Sequence, residues 1–342
     1  MGPNNPQQEG KRWQWARLRA SSQPNKSATI SLMLANKSIL CALLVLLGPL
    51  LSIRLVVAQP APRESGCNEL QKAIAEPSKA TATIRGEYLK NNKTLVQDIF
   101  LSSEEAPRIK AFLIKPYKAA PGVGGAVLFV HWLGAPPANN RTEFFEDAVQ
   151  LTDHNVTCLL VEAPWADPEW FPNRKLDDSE ANTLRYVTQL RSYFRYLLAE
   201  AKPEADKIAF VGHDFGAMYG ALLLQQENAI RHAVMMAAVP DFADWYLLGR
   251  KLSDSDARQF RERMSPIAPS RYLRCARNVD VLFQFAENDR FVSREQASAF
   301  IGSAPTEKTV LWYSGGHELQ DASRKDRVAW LVKRTAPHSP GN

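Results

Sequence analysis

The chain has 342 residues, of which 45% are hydrophobic and 9% aromatic, a composition typical of a globular protein with a large core. Its formal charge is +6, but residues 1–58 hold seven basic residues against one acidic residue, Glu9. The rest of the chain is therefore formally neutral and has no basic stripe that could follow nucleic-acid phosphates. These numbers exclude a nucleic-acid partner.

The N-terminal segment has the layout of an export signal. An apolar run from Ile39 to Leu51 follows Lys37, and Ala58 ends a stretch of small and apolar residues. Counted from Met33, this predicts a 26-residue signal peptide and a secreted or periplasmic protein that is not membrane-bound after cleavage. The alternative is an N-terminal membrane anchor, although a run of 13 residues is short of the roughly 20 needed to span a bilayer.

Beyond the leader, strand and helix patterns alternate over more than 200 residues. Strands are predicted at Thr94–Phe100, Arg108–Lys115, Gly125–His131, Val156–Glu162, Lys207–Val211, Ala233–Ala238, Val279–Phe285 and Thr309–Tyr313. Helices are predicted at Thr142–Thr152, Ala181–Ala199, Phe215–Gln226, Arg294–Ile301 and Arg324–Lys333. This alternation predicts an α/β fold, a mostly parallel sheet with helices on both faces.

The predicted organisation has four parts. They are an N-terminal extension with signal peptide (1–58), a Pro-rich linker (59–79), a catalytic domain (80–335) and a short tail (336–342). Three cysteines follow the leader, and this odd number argues against a disulfide framework. The six histidines are scattered without metal-ligand spacing, so we expect neither a metal nor an organic cofactor.

The segment Gly212-His213-Asp214-Phe215-Gly216 follows one predicted strand and precedes a predicted helix. A sharp strand–turn–helix joint with glycines on both sides exposes its central side chain, which marks a nucleophile elbow. The central residue here is Asp214. The plainer alternative is a turn that carries a solvated aspartate.

Two further residues follow predicted strands in the order expected of a catalytic triad. Asp289 comes just after Val279–Phe285, and His317 lies in a glycine-flanked loop after Thr309–Tyr313. His317 is the candidate general base, and Asp289 is the candidate acid that orients it. Either residue taken alone could be a solvated loop residue. Together with Asp214, however, the two positions match the order of a catalytic triad and favour an active site.

The sequence Val130-His131-Trp132-Leu133-Gly134 ends another predicted strand. A loop at this position supplies one oxyanion-hole donor, here the backbone amide of Trp132 or Leu133, and the second is the amide of Phe215 after the elbow. Trp132 could instead be only a packing residue that walls the pocket.

Taken together, these motifs resemble the α/β-hydrolase superfamily over nearly all of the chain after the leader. The layout is similar to dienelactone hydrolases and acetyl xylan esterases, with little room for a cap between Val239 and Ser270. The elbow with Asp214 is instead similar to epoxide hydrolases and haloalkane dehalogenases. The resemblance implies an α/β-hydrolase fold with a minimal cap and a small-molecule substrate.

Two departures bear on the chemistry. Dehalogenases of this type place a tryptophan after the nucleophile and a second halide donor in the oxyanion loop, where this chain has Phe215 and Leu133. Epoxide hydrolases use cap tyrosines to polarise the epoxide oxygen, and Tyr246 is the candidate here, with simple packing as its alternative.

Three functions remain open. The first is a hydrolase with an Asp214–His317–Asp289 triad that works through a covalent alkyl-enzyme ester, as epoxide hydrolases do. The second is a dienelactone-hydrolase-like carboxylic ester hydrolase with an atypical aspartate. The third is a non-catalytic binding protein of hydrolase descent. The sequence does not indicate the oligomeric state.

Overall fold

The computed structural model describes residues 64–104, 106–118, 123–134, 140–304, 307–319 and 321–337. These residues belong to one structural unit, Arg63–Asn342. The predicted signal peptide with its apolar run lies outside the described residues. Among the helices that are described, none is both long enough and apolar enough to cross a membrane.

A nine-stranded sheet forms the centre of the molecule. Its strands are β1 (Thr81–Lys90), β2 (Thr94–Ser103), β3 (Ala106–Pro116), β4 (Gly125–Val130), β5 (Val156–Val161), β6 (Ile208–His213), β7 (His232–Met236), β8 (Asp280–Ala286) and β9 (Lys308–Tyr313). Their order is β1-β2-β3-β5-β4-β6-β7-β8-β9. The pairs β1–β2, β2–β3 and β3–β5 are antiparallel, and all other pairs are parallel. β4, β5 and β6 are buried along their whole length, as their continuous apolar runs predict.

Nine helices of the described chain connect and cover these strands. They are α1 (Glu64–Lys72), α2 (Phe145–Thr152), α3 (Ser179–Ala201), α4 (Phe215–Gln226), α5 (Phe242–Tyr246), α6 (Asp254–Met264), α7 (Pro269–Cys275), α8 (Arg294–Ser303) and α9 (Asp321–Thr335). α2 packs against α9, whereas α4 packs against α3 and α7. The predicted α/β fold, a mostly parallel sheet with helices, is confirmed, and only the short helices α5 to α7 occupy the region between β7 and β8.

A buried ion pair fixes α9 against α2. The Arg327 guanidinium donates to Asp147 Oδ1 at 2.7 Å and to Gln284 Oε1 on β8 at 3.0 Å. Arg327 and Asp147 are buried, with exposures of 3% and 0%. Since a charge left unpaired at such a site costs several kcal/mol, removal of either partner should be strongly destabilising.

Strand β1 was not predicted from the sequence. This edge strand is exposed along nearly its whole length and pairs only with β2. Because neither of its faces is buried, the alternation of apolar and polar residues that marks a half-buried strand is absent. The other predicted elements are present, with ends that move by a few residues.

Two predictions need correction: the linker at 59–79, and the argument against a disulfide from the odd number of cysteines. α1 lies within this segment, and its Cys67 forms a disulfide with Cys275 at the end of α7. The amide of Gln225 on α4 also donates to the Cys67 carbonyl at 3.1 Å. Three cysteines allow one bond and one spare thiol, and Cys158 is that buried free thiol. The odd number therefore did not exclude a disulfide.

Candidate active site

The turn between β6 and α4 presents Asp214 at the carboxyl end of the sheet. Asp214 has φ 54° and ψ −117°, a conformation that costs a non-glycine residue energy and that marks a nucleophile elbow. A Cβ atom on Gly216 would overlap the Val130 carbonyl oxygen, and one on Gly212 would lie 2.5 Å from the Gly216 carbonyl carbon. The two glycines are therefore required by close backbone packing.

Three predicted site residues meet at this end of the sheet. Asp289 Oδ2 lies 2.8 Å from His317 Nδ1, and the backbone amides of Phe291 and Val292 donate to Asp289 Oδ1 at 2.8 and 3.0 Å. His317 Nε2 lies 3.9 Å from Asp214 Oδ2, which is beyond hydrogen-bonding distance. Catalytic contacts are commonly this long before substrate binds. The arrangement is thus an Asp214–His317–Asp289 series with a gap at the nucleophile.

The charges in this series set the protonation state of the histidine. Burial lowers the pKa of His317, but the hydrogen bond with Asp289 and the nearby charges of Asp289 and Asp214 outweigh burial and raise the pKa to about 10. Burial raises the pKa of Asp214. Burial also acts to raise the pKa of Asp289, but its contacts with His317 and two backbone amides outweigh burial and lower it. At neutral pH His317 is therefore an imidazolium between two carboxyl groups.

The oxyanion loop contributes one amide to Asp214. The Leu133 N–H donates to Asp214 Oδ2 at 3.1 Å. The Trp132 N–H instead donates to Glu143 Oε2 at 2.9 Å, so of the two loop amides predicted, only that of Leu133 faces the nucleophile. Phe215 is the first residue of α4, and its amide directly follows Asp214 as expected.

The pair Glu143 and His213 was not predicted from the sequence. His213 is fully buried; its Nδ1 lies 2.7 Å from Glu143 Oε1, and its Nε2 donates to the His317 carbonyl at 2.9 Å. Its ring stacks on Trp132 with centroids 5.2 Å apart. This pair therefore joins the elbow, the oxyanion loop and the His317 loop. The elbow motif contained His213, whereas no local pattern marked Glu143.

Aromatic rings cover the triad. The rings of Trp132, Trp245 and Phe291 lie 5.7, 5.7 and 5.3 Å from that of His317. Beneath them Asp214 is 0% exposed and His317 is 3% exposed, whereas Phe291 is 44% exposed and lies at the outer edge. The site is consequently enclosed and apolar apart from the triad and the loop amides.

Tyr246 does not join this group through its hydroxyl. The Tyr246 hydroxyl lies 3.1 Å from that of Tyr219 and 3.4 Å from Thr183 Oγ1, in a buried cluster. Its ring packs on Phe215 at 5.8 Å. Tyr246 is therefore placed as a packing residue, which was the alternative to the predicted substrate contact.

Several solved structures share this architecture. Acetyl xylan esterase 1 from Thermoanaerobacterium sp. JW/SL YS485 superposes with a TM-score of 0.61 at 13% identity, over 80% of this chain and 94% of that chain. An acetyl xylan esterase from Paenibacillus sp. R4 gives 0.58 at 12% identity, over 79% and 92% of the two chains. A glucuronoyl esterase from Solibacter usitatus gives 0.56 at 10% identity, over 78% and 91%. The chain has the α/β-hydrolase fold. No protein-family model and no curated protein matches its sequence.

In this α/β-hydrolase fold, the three candidate triad residues follow three different strands, and the residue at the elbow carries a carboxyl group. Both oxygens of Asp214 are buried, yet Oδ1 has no hydrogen-bond partner among the described residues. The same holds for His317 Nε2. In the described part of the chain, no group of three His, Cys, Asp or Glu residues could hold a metal ion. The side chains present can supply a nucleophile and a proton carrier, and the backbone can supply amide donors.

Proposed function

We propose that this protein is a hydrolase in which Asp214 attacks a saturated carbon of a small apolar substrate, with an epoxide as the best-fitting class. The observation that carries this proposal is the difference between the two oxygens of Asp214. Oδ2 accepts the Leu133 amide at 3.1 Å, whereas Oδ1 is buried without a partner among the described residues. Oδ1 is thus available to attack, and Oδ2 already lies in a position to become an oxyanion.

The chemistry of a carboxylate nucleophile supports the same class. Attack on an ester carbonyl would form an anhydride and release an alkoxide, which is strongly uphill. Attack on the carbon of a strained ring forms a stable alkyl ester, and water can then cleave that ester at the aspartate's own carbonyl carbon. Asp214 therefore suits epoxide opening better than direct esterolysis.

The imidazolium of His317 fits this sequence of steps. In the first step, Oδ1 of Asp214 bonds to the epoxide carbon, the carbon–oxygen bond breaks, and the alkoxide takes the Nε2 proton of His317. Asp214 is now a neutral ester, so one of the two groups that keep His317 protonated has lost its charge. His317 is left neutral, as a general base must be.

In the second step, His317 Nε2 takes a proton from water, and the hydroxide attacks Cγ of Asp214. The negative charge that develops on Oδ2 is stabilised by the Leu133 amide, with the Phe215 amide as the second donor. Collapse releases the product alkoxide, which takes the proton from His317. The new carboxylic acid of Asp214 then returns a proton to His317, and the resting charges are restored.

The covering rings indicate the kind of substrate. Trp132, Trp245 and Phe291 surround His317 and offer aromatic faces and edges. Such walls favour an aryl or alkyl substituent, which gains from leaving water. We therefore expect an aryl-substituted epoxide such as styrene oxide to be a better substrate than a small polar one.

A substrate panel on the purified protein tests the class. The panel consists of styrene oxide, 1-bromobutane and p-nitrophenyl acetate. We expect turnover of the epoxide, styrene oxide, which is measured by chromatography of the diol product. Asp214→Asn should lose this turnover by roughly 10⁴-fold or more. The variant should fold, because asparagine tolerates a positive φ at the elbow. Turnover of the ester alone, unaffected by Asp214→Asn, would contradict the proposal.

Carboxylic ester hydrolysis is the second candidate. It is supported by the fold likeness to enzymes named acetyl xylan esterase and glucuronoyl esterase. In that case Asp214 would act as a base on water, and the amides of Leu133 and Phe215 would face the substrate carbonyl oxygen. The same panel separates the two candidates, and turnover of any substrate that requires Asp214 rejects a purely binding protein.

We also propose that the protein is exported. The Cys67–Cys275 disulfide supports this, because stable disulfides form in oxidising compartments. Mass spectrometry of protein recovered outside the cytoplasm should find a new N-terminus near Gln59 and both cysteines oxidised. Intact protein that keeps residues 39–51 in a membrane would contradict cleavage.

A further inference from the structure

The three rings around His317, those of Trp132, Trp245 and Phe291, form an aromatic cover over the triad. One polar group in this cover, the indole N–H of Trp245, has no role in the proposed steps. Trp245 lies on α5 and is 5% exposed, and its indole N–H is buried without a hydrogen-bond partner among the described residues. A buried indole N–H ordinarily finds an acceptor, and leaving it unpaired is destabilising. The missing acceptor therefore requires a reason.

The surroundings of Trp245 place its indole ring beside the candidate reaction centre. Its ring lies 5.7 Å from that of His317, 5.6 Å from that of Phe215 and 5.7 Å from that of Phe291, centroid to centroid. His317 carries the proton for the leaving oxygen, and Phe215 directly follows the nucleophile. A substrate between Asp214 and the cover would consequently lie beside the indole.

Besides His317, the neighbouring donors at the site already have other acceptors. The Leu133 amide binds Asp214 itself, and the Trp132 amide binds Glu143. The Tyr246 hydroxyl belongs to the buried cluster with Tyr219 and Thr183. An epoxide oxygen gains negative charge as its ring opens, so a donor aimed at it would lower the barrier of the first step.

Resting on the proposed function, we infer that the indole N–H of Trp245 donates a hydrogen bond to the substrate oxygen and is a catalytic residue of the first step. The indole keeps its proton throughout. It polarises the carbon–oxygen bond while Oδ1 of Asp214 attacks, and His317 Nε2 then delivers the proton to the alkoxide. The enzyme therefore selects substrates whose reacting carbon carries an oxygen acceptor on the Trp245 side.

The test compares two tryptophan variants that lose the same kind of group. Trp245→Phe keeps an aromatic ring in the cover but removes the N–H. Trp330→Phe is the matched control, because Trp330 also has a buried, unpaired indole N–H and packs on His232 at the opposite end of β7. The adduct that styrene oxide forms on Asp214 is followed by mass spectrometry in a single turnover.

In Trp245→Phe, the adduct should form roughly 10- to 100-fold more slowly than in wild type, and its later hydrolysis should proceed at the wild-type rate. Trp330→Phe should match wild type in both steps. Adduct formation at the wild-type rate in Trp245→Phe would overturn the inference and leave Asp214 as nucleophile. Absence of an adduct in every protein, wild type included, would remove the proposed function and this inference with it.

A second measurement does not depend on the kinetics. In Asp214→Asn, which can bind the epoxide but not react with it, the indole ¹H–¹⁵N resonance of Trp245 should move downfield when styrene oxide is added. The Trp330 resonance should stay in place. An unchanged Trp245 resonance at saturating styrene oxide would overturn the inference even if Trp245→Phe proved unstable.

Discussion

Replacing His317 by glutamine should trap the protein as a covalent ester on Asp214. Glutamine cannot activate water, so the second step stops. The first step is slowed by loss of the imidazolium but continues, because water can protonate the alkoxide. Overall turnover should fall by roughly 10⁴-fold or more, and the peptide that contains Asp214 should gain the mass of one substrate.

Isotope labelling distinguishes the path of the water oxygen. In a single turnover in heavy-oxygen water, the wild-type protein should place the label in the Asp214 carboxylate, since the hydroxide attacks Cγ. Asp214→Asn should form no initial adduct. His232→Gln is the control, because His232 lies at the opposite end of β7, and it should behave as wild type. Label that appears first in the product, with no adduct in His317→Gln, would show that Asp214 acts as a base instead.

The titration of His317 should move when either carboxylate is removed. In the free protein its pKa is raised to about 10, because Asp214 and Asp289 outweigh the effect of burial. Asp214→Asn and Asp289→Asn should each lower the pKa toward its ordinary value of 6.5. NMR of the imidazole ring measures this directly, and styrene oxide bound covalently to Asp214 should have the same effect as Asp214→Asn.

The same titration links pH to stability. Because the folded pKa of His317 is higher than the unfolded one, its contribution is fully present below pH 6.5 and is lost as pH rises through about 10. The thermal midpoint should therefore decline over that window in wild type and decline less in Asp289→Asn. A wild-type His317 that titrates near 6.5 would mean that Asp214 and Asp289 are not both ionised beside it.

Much of the candidate site could be predicted from the sequence because its residues follow apolar strand patterns. Continuous apolar runs locate β6, β8 and β9, and the residues just after them, among them Asp214, Asp289 and His317, must meet at one edge of a parallel sheet. The elbow glycines carry the same information, since only glycine allows the backbone approach to Val130.

The features that could not be predicted from the sequence depend on contacts between residues that are distant in the chain, and no local sequence pattern indicates such contacts. The Trp132 amide points away from Asp214 because it donates to Glu143, whose position just before α2 depends on how that helix packs. Trp245 and Tyr246 are neighbours on one short helix, and only packing decides which of them lies over His317. The pairing of Cys67 with Cys275 bridges 208 residues, so spacing along the chain could not indicate it.

That pairing also constrains the order in which the molecule is assembled. After residue 63 the chain has three cysteines, and either bond to Cys158 would close a shorter loop than the native one. Chain entropy thus slightly favours both wrong bonds, by an amount on the order of 0.5 kcal/mol. Cys158 is hidden in β5, between β3 and β4. Burial of Cys158 in the folded sheet therefore disfavours both wrong bonds, and we expect the correct bond in higher yield when the sheet folds before oxidation.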